Sequence, residues 1–201
     1  QKLQAGDEIR IIAPARSLNI VAEQNRTIAE KRLKEMGLKV TYGKHVYECG
    51  DFNSSSIDSR IQDLHEAFRD KLVKGILTVI GGFNSNQLLR FIDYKLIQDN
   101  PKILCGYSDI TVLLNAIYAR AGLVTYYGPH FSTFGMVKGC DYIIDYFKQC
   151  LMSEGDFKIN SSKEWSSDPW YEDQENRVFI KNEGHWIVNE GEAEGKVVGG
   201  N

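Results

Sequence analysis

Ser108 is the residue best placed to act as a nucleophile. It sits in Leu104-Cys-Gly-Tyr-Ser-Asp-Ile110, between a short apolar run and a strong amphipathic segment. A serine on a tight strand-to-helix turn exposes its Oγ at a helix N-terminus. There the amide of Asp109 is an uncommitted first-turn donor that can bind an oxyanion, and the helix dipole favours negative charge. The motif is Gly-x-Ser without the second glycine of the usual elbow, since Asp109-Ile110 follows. The plainer reading makes Ser108 or Asp109 a helix cap.

Gly81-Gly82-Phe83-Asn84-Ser85-Asn86 is a second candidate. Paired glycines after a buried strand let backbone N–H groups approach a ligand closely. No Gly-Lys-Ser/Thr follows and the spacing is not G-x-G-x-x-G, so a phosphate or dinucleotide role is weakly supported. An oxyanion hole or a carboxylate-binding nest fits the residues, as does a plain turn capped by Asn86.

A serine nucleophile needs a base. Of the four histidines, His45 lies in a polar stretch, His65 beside the apolar stripe of a helix, and His185 in the tail. His130, after Gly128-Pro129 at the carboxyl edge of the predicted sheet, is the best base that the chain itself offers. Cys49, Cys105, Cys140 and Cys150 are far apart with no metal spacing, which predicts buried free thiols in a reducing cytoplasm and no metal or cofactor. Trp165, Trp170 and Tyr171 lie among acidic and polar residues. They either stack on a planar ligand group or anchor the segment that carries them.

The elements that must hold these groups alternate in period. Strands are predicted at Glu8–Ile12, Leu38–Tyr42, Gly75–Ile80, Lys102–Cys105 and Val124–Tyr126. Helices are predicted after a Ser17 or Asn19 cap, from Ile57, from about Gln87, over Ile110–Ala121 and over Asp141–Met152. Alternating strands and helices imply an α/β fold with a mostly parallel, doubly wound, flavodoxin- or amidotransferase-like sheet. Ligands then bind beyond the carboxyl ends of the strands, at the loops beginning at Ala13, Gly81, Gly106 and Gly128. Near Gly155 the pattern stops. Residues 1–154 are expected to form one α/β domain, and residues 155–201 a linking segment and the start of an incomplete second domain, with Lys196-Val-Val198 β-like.

Composition narrows the class. The chain has 201 residues, 42% hydrophobic and 25% charged, the balance of a globular protein. A net charge of −3 implies no nucleic-acid surface, and no apolar run approaches the ~20 residues of a membrane span.

Five motifs occur in order: Gly6-Asp-Glu-Ile-Arg-Ile-Ile-Ala-Pro14, Ile80-Gly-Gly-Phe-Asn-Ser-Asn86, Gly106-Tyr-Ser-Asp109, Tyr127-Gly-Pro129 and Gly195-Lys-Val-Val-Gly-Gly-Asn201. Together they resemble the LD-carboxypeptidase family of serine peptidases, more the branch of the microcin C immunity peptidase than the murein recycling enzymes. The resemblance implies Ser108 as nucleophile of a Ser-His-Glu triad without metal. It also implies an oxyanion hole from the amides of Asp109, Gly82 and Phe83. Gly81, Asn84, Ser85, Asn86 and His130 would line the substrate site, with Trp165 or Trp170 stacking on a nucleobase. Substrates would be muropeptides in the murein branch, or peptidyl- and aminoacyl-nucleotides in the immunity branch, and a homodimer would be usual. The family carries its glutamate and histidine in a C-terminal domain. Glu190, Glu192 and Glu194 precede the last motif and do not match that glutamate, so this chain is expected to be the N-terminal part, nearly inactive alone, with His130 displaced as base.

Overall fold

The structure is a computed structural model and describes residues 1–196 and 198–200. Five strands, β1 (Glu8–Ile12), β2 (Lys39–Tyr42), β3 (Val73–Thr78), β4 (Ile103–Gly106) and β5 (Tyr126–Tyr127), alternate with helices. These are α1 (Glu23–Glu35), α2 (Ile57–Arg69), α3 (Tyr94–Asp99), α4 (Thr111–Ala121) and α5 (Asp141–Leu151). The sheet is wholly parallel in the order β2-β1-β3-β4-β5. This is the flavodoxin-like winding, whose strand order reverses between β1 and β3 and leaves a ligand crevice there.

Side-chain alternation splits the core into two layers. Ile9, Ile11, Leu77, Val79 and Cys105 meet Ala29 and Leu33 of α1 and Phe147 and Leu151 of α5 on one face. Ile12, Ile76 and Leu104 meet Leu64, Ala67 and Phe68 of α2 and Leu113, Leu114 and Ile117 of α4 on the other. Helices therefore cover both faces. The register pairs Ile12 with Thr78 and Gly106 with Tyr127, so the strands end along one edge.

Helix starts differ most from expectation. Ser17 caps only a 3-10 turn, its Oγ accepting from Asn19 N at 3.1 Å, and α1 begins later, after Ala22. The helix expected from Gln87 is a 3-10 turn over Ser85–Leu88 that breaks before α3, which Asp93 caps by accepting from Leu96 N at 2.9 Å. Asn86 caps neither. All four cysteines are free, but only Cys105 and Cys140 are buried. Cys49 is exposed and Cys150 intermediate, which corrects the expectation of four buried thiols. After α5 the described residues carry one antiparallel pair, β6 (Glu164–Trp165) with β7 (Ile180–Lys181). Lys196 and Val198 are not in a strand. Val197 and Asn201, expected in a strand and a turn, lie outside the described residues. No helix among the described residues is long and apolar enough to cross a membrane.

Candidate active site

The carboxyl ends of β1, β3, β4 and β5 bring together the loops singled out in the sequence. Ser108 opens the 3-10 turn that leads into α4, and its φ is +58°. Left-handed backbone is uncommon for a residue with a Cβ, and it clusters where geometry serves function. Neither Ser108 nor Asp109 is a side-chain cap: the N-cap position is Tyr107, whose side chain makes no capping bond. Among the described residues Ser108 Oγ has no hydrogen-bond partner. A cavity of about 270 Å³ opens over it, lined by Arg16, Ile80, Gly81, Gly82, Tyr107, Ser108 and His130.

The paired glycines are required by contact. A Cβ on Gly81 would lie 2.9 Å from Ser108 Cβ and 3.0 Å from its Oγ. A Cβ on Gly82 would lie 3.2 Å from Ala15 Cβ and 3.3 Å from Arg16 Cγ. The Gly81 backbone thus lies directly against the serine, and Gly82 lines the same cavity. Among the described residues the amides of Gly82, Phe83 and Asp109 donate no hydrogen bond, and of these residues Gly82 lines the cavity and Asp109 follows Ser108 in the turn.

Asp109 fixes that arrangement. Its Oδ2 accepts from the amides of Asn84 and Ser85, each at 3.0 Å, and its backbone oxygen accepts from Ser85 Oγ at 2.6 Å. Asn84 and Ser85 are buried, at 6% and 0% exposure. Their part is to hold the loop, and Asn84 Nδ2 also donates to Ser54 Oγ at 2.9 Å. Arg60, which the sequence reading missed, grips the loop from beneath. It is buried and donates to Pro14 O (3.3 Å), Asn84 O (3.2 Å) and Gln87 Oε1 (2.7 Å). Burial pulls its guanidinium below the usual range while the Asp109 carboxylate opposes this. A signal existed: Arg60 falls inside the Ile57-Ile61-Leu64 stripe, where a charge needs a partner.

His130 lines the cavity but is 1% exposed and is not hydrogen-bonded to Ser108. Its Nδ1 shares a 2.8 Å bond with Thr78 Oγ1, and the Tyr107 ring lies on the imidazole with centroids 4.2 Å apart. Burial pushes its pKa down to about 3, against a smaller upward pull from the Tyr107 backbone. Such an imidazole is neutral at physiological pH and a weak base, so the residue-level expectation of His130 as base finds no pairing here. The buried Nε2 lacks a partner among the described residues.

A depressed folded-state pKa means that the unfolded chain binds the extra proton. Stability from a neutral His130 is therefore complete above about pH 6.5 and lost as pH falls toward about 3. Unfolding midpoints measured from pH 7 to pH 4 should fall in the wild type, and His130→Asn should flatten that slope. An unchanged slope would show that other groups set it.

The tail aromatics separate. Trp170 lines a second, largely apolar cavity of about 620 Å³ between β5, α5 and the tail, together with Tyr126, Tyr127, Tyr146 and Phe157. Tyr107 lines both cavities and joins them. Trp165 lies on β6, 49% exposed, outside both linings. Cys105 borders the apolar cavity, but burial pushes its thiol far above the usual range.

Residues 9–128 match the LD-carboxypeptidase N-terminal domain. The chain belongs to the LD-carboxypeptidase family. Among relatives of this LD-carboxypeptidase-family chain, YocD of Bacillus subtilis (strain 168) is 56% identical over 100% of the chain and 62% of that protein. The microcin C7 self-immunity protein MccF of Escherichia coli is 32% identical over 99% of the chain and 60% of that protein. The murein tetrapeptide carboxypeptidase of Pseudomonas aeruginosa is 31% identical over 60% of the chain and 38% of that protein. The crystal structure of an MccF-like protein from Bacillus anthracis str. Ames matches with a TM-score of 0.90 at 61% identity, covering 92% of this chain and 56% of that one. MccF in complex with aspartyl sulfamoyl adenosine matches with a TM-score of 0.82 at 32% identity, covering 90% and 57%. The chain thus spans about three-fifths of the length of YocD and MccF.

Proposed function

We propose that this chain carries the nucleophile of a serine carboxypeptidase, and that Ser108 is that nucleophile. The observation that carries the reading is its left-handed φ of +58° at the head of α4, with its hydroxyl open to the cavity and the Gly81 backbone against it. Ser108 Oγ attacks the scissile carbonyl, and the oxyanion forms beside the amides of Asp109, Gly82 and Phe83. The leaving amine departs and water hydrolyses the acyl-enzyme. The base is the histidine, held by a glutamate, of the C-terminal domain that family members carry, and residues 155–201 lead toward that domain. The protein works in the cytoplasm, without metal or cofactor, as a homodimer.

The substrate we favour is an aminoacyl- or peptidyl-nucleotide. Support comes from the match to MccF over nearly the whole chain, and from the apolar cavity holding Trp170 that adjoins Ser108 through Tyr107. A base stacked on an aromatic side chain gains about 1–3 kcal/mol. The second reading is a murein peptide, which the shorter match to the Pseudomonas enzyme favours. Either substrate carries negative charge within three bonds of the scissile nitrogen, as an acidic N-acyl linkage or as a terminal carboxylate.

Turnover of an aminoacyl phosphoramidate nucleotide and of a murein tetrapeptide by the source-expressed protein separates the two. Trp170→Ala is expected to raise KM about tenfold for the nucleotide and leave the tetrapeptide unaffected. Cleavage of the tetrapeptide alone would establish the second reading. A fluorophosphonate that fails to label Ser108 would defeat both.

A further inference from the structure

We infer that Arg16 is the anion anchor of the substrate site, binding one negatively charged group on the leaving side of the scissile bond. The inference rests on the reading of Ser108 as nucleophile and adds a residue that the sequence motifs did not single out.

Arg16 follows Pro14-Ala15 at the end of β1, beside the point where the strand order reverses. Its half-buried side chain shares the 270 Å³ cavity with Ser108, and among the described residues it is the one cationic side chain in that lining, His130 being neutral. Its surroundings hold it in place. Its stem runs along Gly82, where a Cβ would come within 3.3 Å of Arg16 Cγ. Its guanidinium carbon lies 5.6 Å from the centroid of the Phe83 ring. Phe83 is in turn met edge-on by Phe52, with centroids 5.8 Å apart and planes at 90°.

Among the described residues the donors of Arg16 are uncommitted. Its Nε is buried without a hydrogen-bond partner, and among the described residues the side chain makes no ion pair. The contrast with Arg60 is informative. Both arginines serve the same loops, but Arg60 spends its donors on Pro14, Asn84 and Gln87. A charged donor held without a partner against buried surface is unfavourable, and the planar fork of a guanidinium suits a carboxylate, sulfonyl or phosphoryl oxygen pair. Arg16 is thus placed beside the nucleophile to select acyl donors by the charge next to the bond they lose.

Binding measured in a Ser108→Ala background tests this without requiring turnover. The probes are a peptide with a free terminal carboxylate, its carboxamide twin, an N-acyl sulfamoyl adenosine and its uncharged N-methyl analogue. Arg16→Met should weaken the charged member of at least one pair about 100-fold and leave its neutral twin within about threefold. Arg16→Lys should recover part of the loss. Loss confined to the peptide acid identifies a terminal carboxylate as the anchored group. Loss confined to the acyl sulfamate identifies the acidic N-acyl linkage. If the charged-to-neutral preference is the same with arginine and methionine, the inference is overturned. Fluorophosphonate labelling of Ser108 in otherwise wild-type protein is read in parallel. Its absence would condemn the nucleophile and not the anion anchor, so the two failures remain distinct.

Discussion

Replacing Ser108 with alanine is expected to lower kcat/KM about ten-thousandfold while leaving the fold intact. The size follows from triads, where loss of the nucleophile leaves only oxyanion-hole and binding contributions. The fold should survive because Ser108 Oγ has no partner among the described residues, so its removal breaks no hydrogen bond. Alanine also keeps the Cβ and hence the left-handed strain at φ +58°. Steady-state kinetics on either substrate class, with the thermal unfolding midpoint as control, checks both halves. Activity within tenfold of wild type would transfer the chemistry to another residue and leave the Gly106-Tyr-Ser-Asp109 turn as architecture.

Asp109→Ala is expected to be nearly as damaging, by a different route. One carboxylate oxygen takes the amides of both Asn84 and Ser85 at 3.0 Å. Without it, two buried N–H groups lose their acceptor, at a cost of about 2–4 kcal/mol in stability. The Gly81–Phe83 backbone also loses its tether to the serine turn. Misplacing an oxyanion donor lowers kcat by about 100- to 1,000-fold, and KM should change far less. Asp109→Asn retains a side-chain carbonyl that can accept the same two amides, so its loss in kcat should be only about tenfold. A purely structural Asp109 would show the stability loss in the alanine variant with kcat preserved in the folded fraction.

Much of this was legible in the residues. Each of the five strands begins within two residues of its expected place, because short apolar β-branched runs between Gly and Pro breaks have few other uses. The α4 stripe is buried as its spacing predicts at Ile110, Leu113, Leu114, Ile117 and Ala121, while Tyr118, expected on the same stripe, is only partly buried. The misses are residues whose partners are distant in sequence. Gln87 lies inside a 3-10 turn whose leading amides, those of Asn84 and Ser85, are held by a carboxylate more than twenty residues away, a partner that local spacing does not reveal. Asp109 looked like a cap because local spacing cannot distinguish a cap from a clamp that crosses between two loops. Arg60 stood in plain view as a charge within an apolar stripe, but its acceptors belong to two other loops. Trp165 and Trp170 were equivalent on the page of letters, and only the packing of the tail against α5 and β5 separates them.

The left-handed backbone at Ser108 has an evolutionary consequence. Glycine would occupy that conformation with less strain than any side chain, so the fold alone would favour Gly at this site by roughly 1 kcal/mol. If Ser108 is the nucleophile we propose, selection for chemistry is the force that would hold serine there against that gradient. In a lineage that kept the scaffold only to sequester ligands, neutral drift would run toward glycine, and the thermal tolerance of the protein would rise as its turnover vanished. A glycine in place of Ser108, on an otherwise similar chain, would therefore mark a binding protein descended from an enzyme.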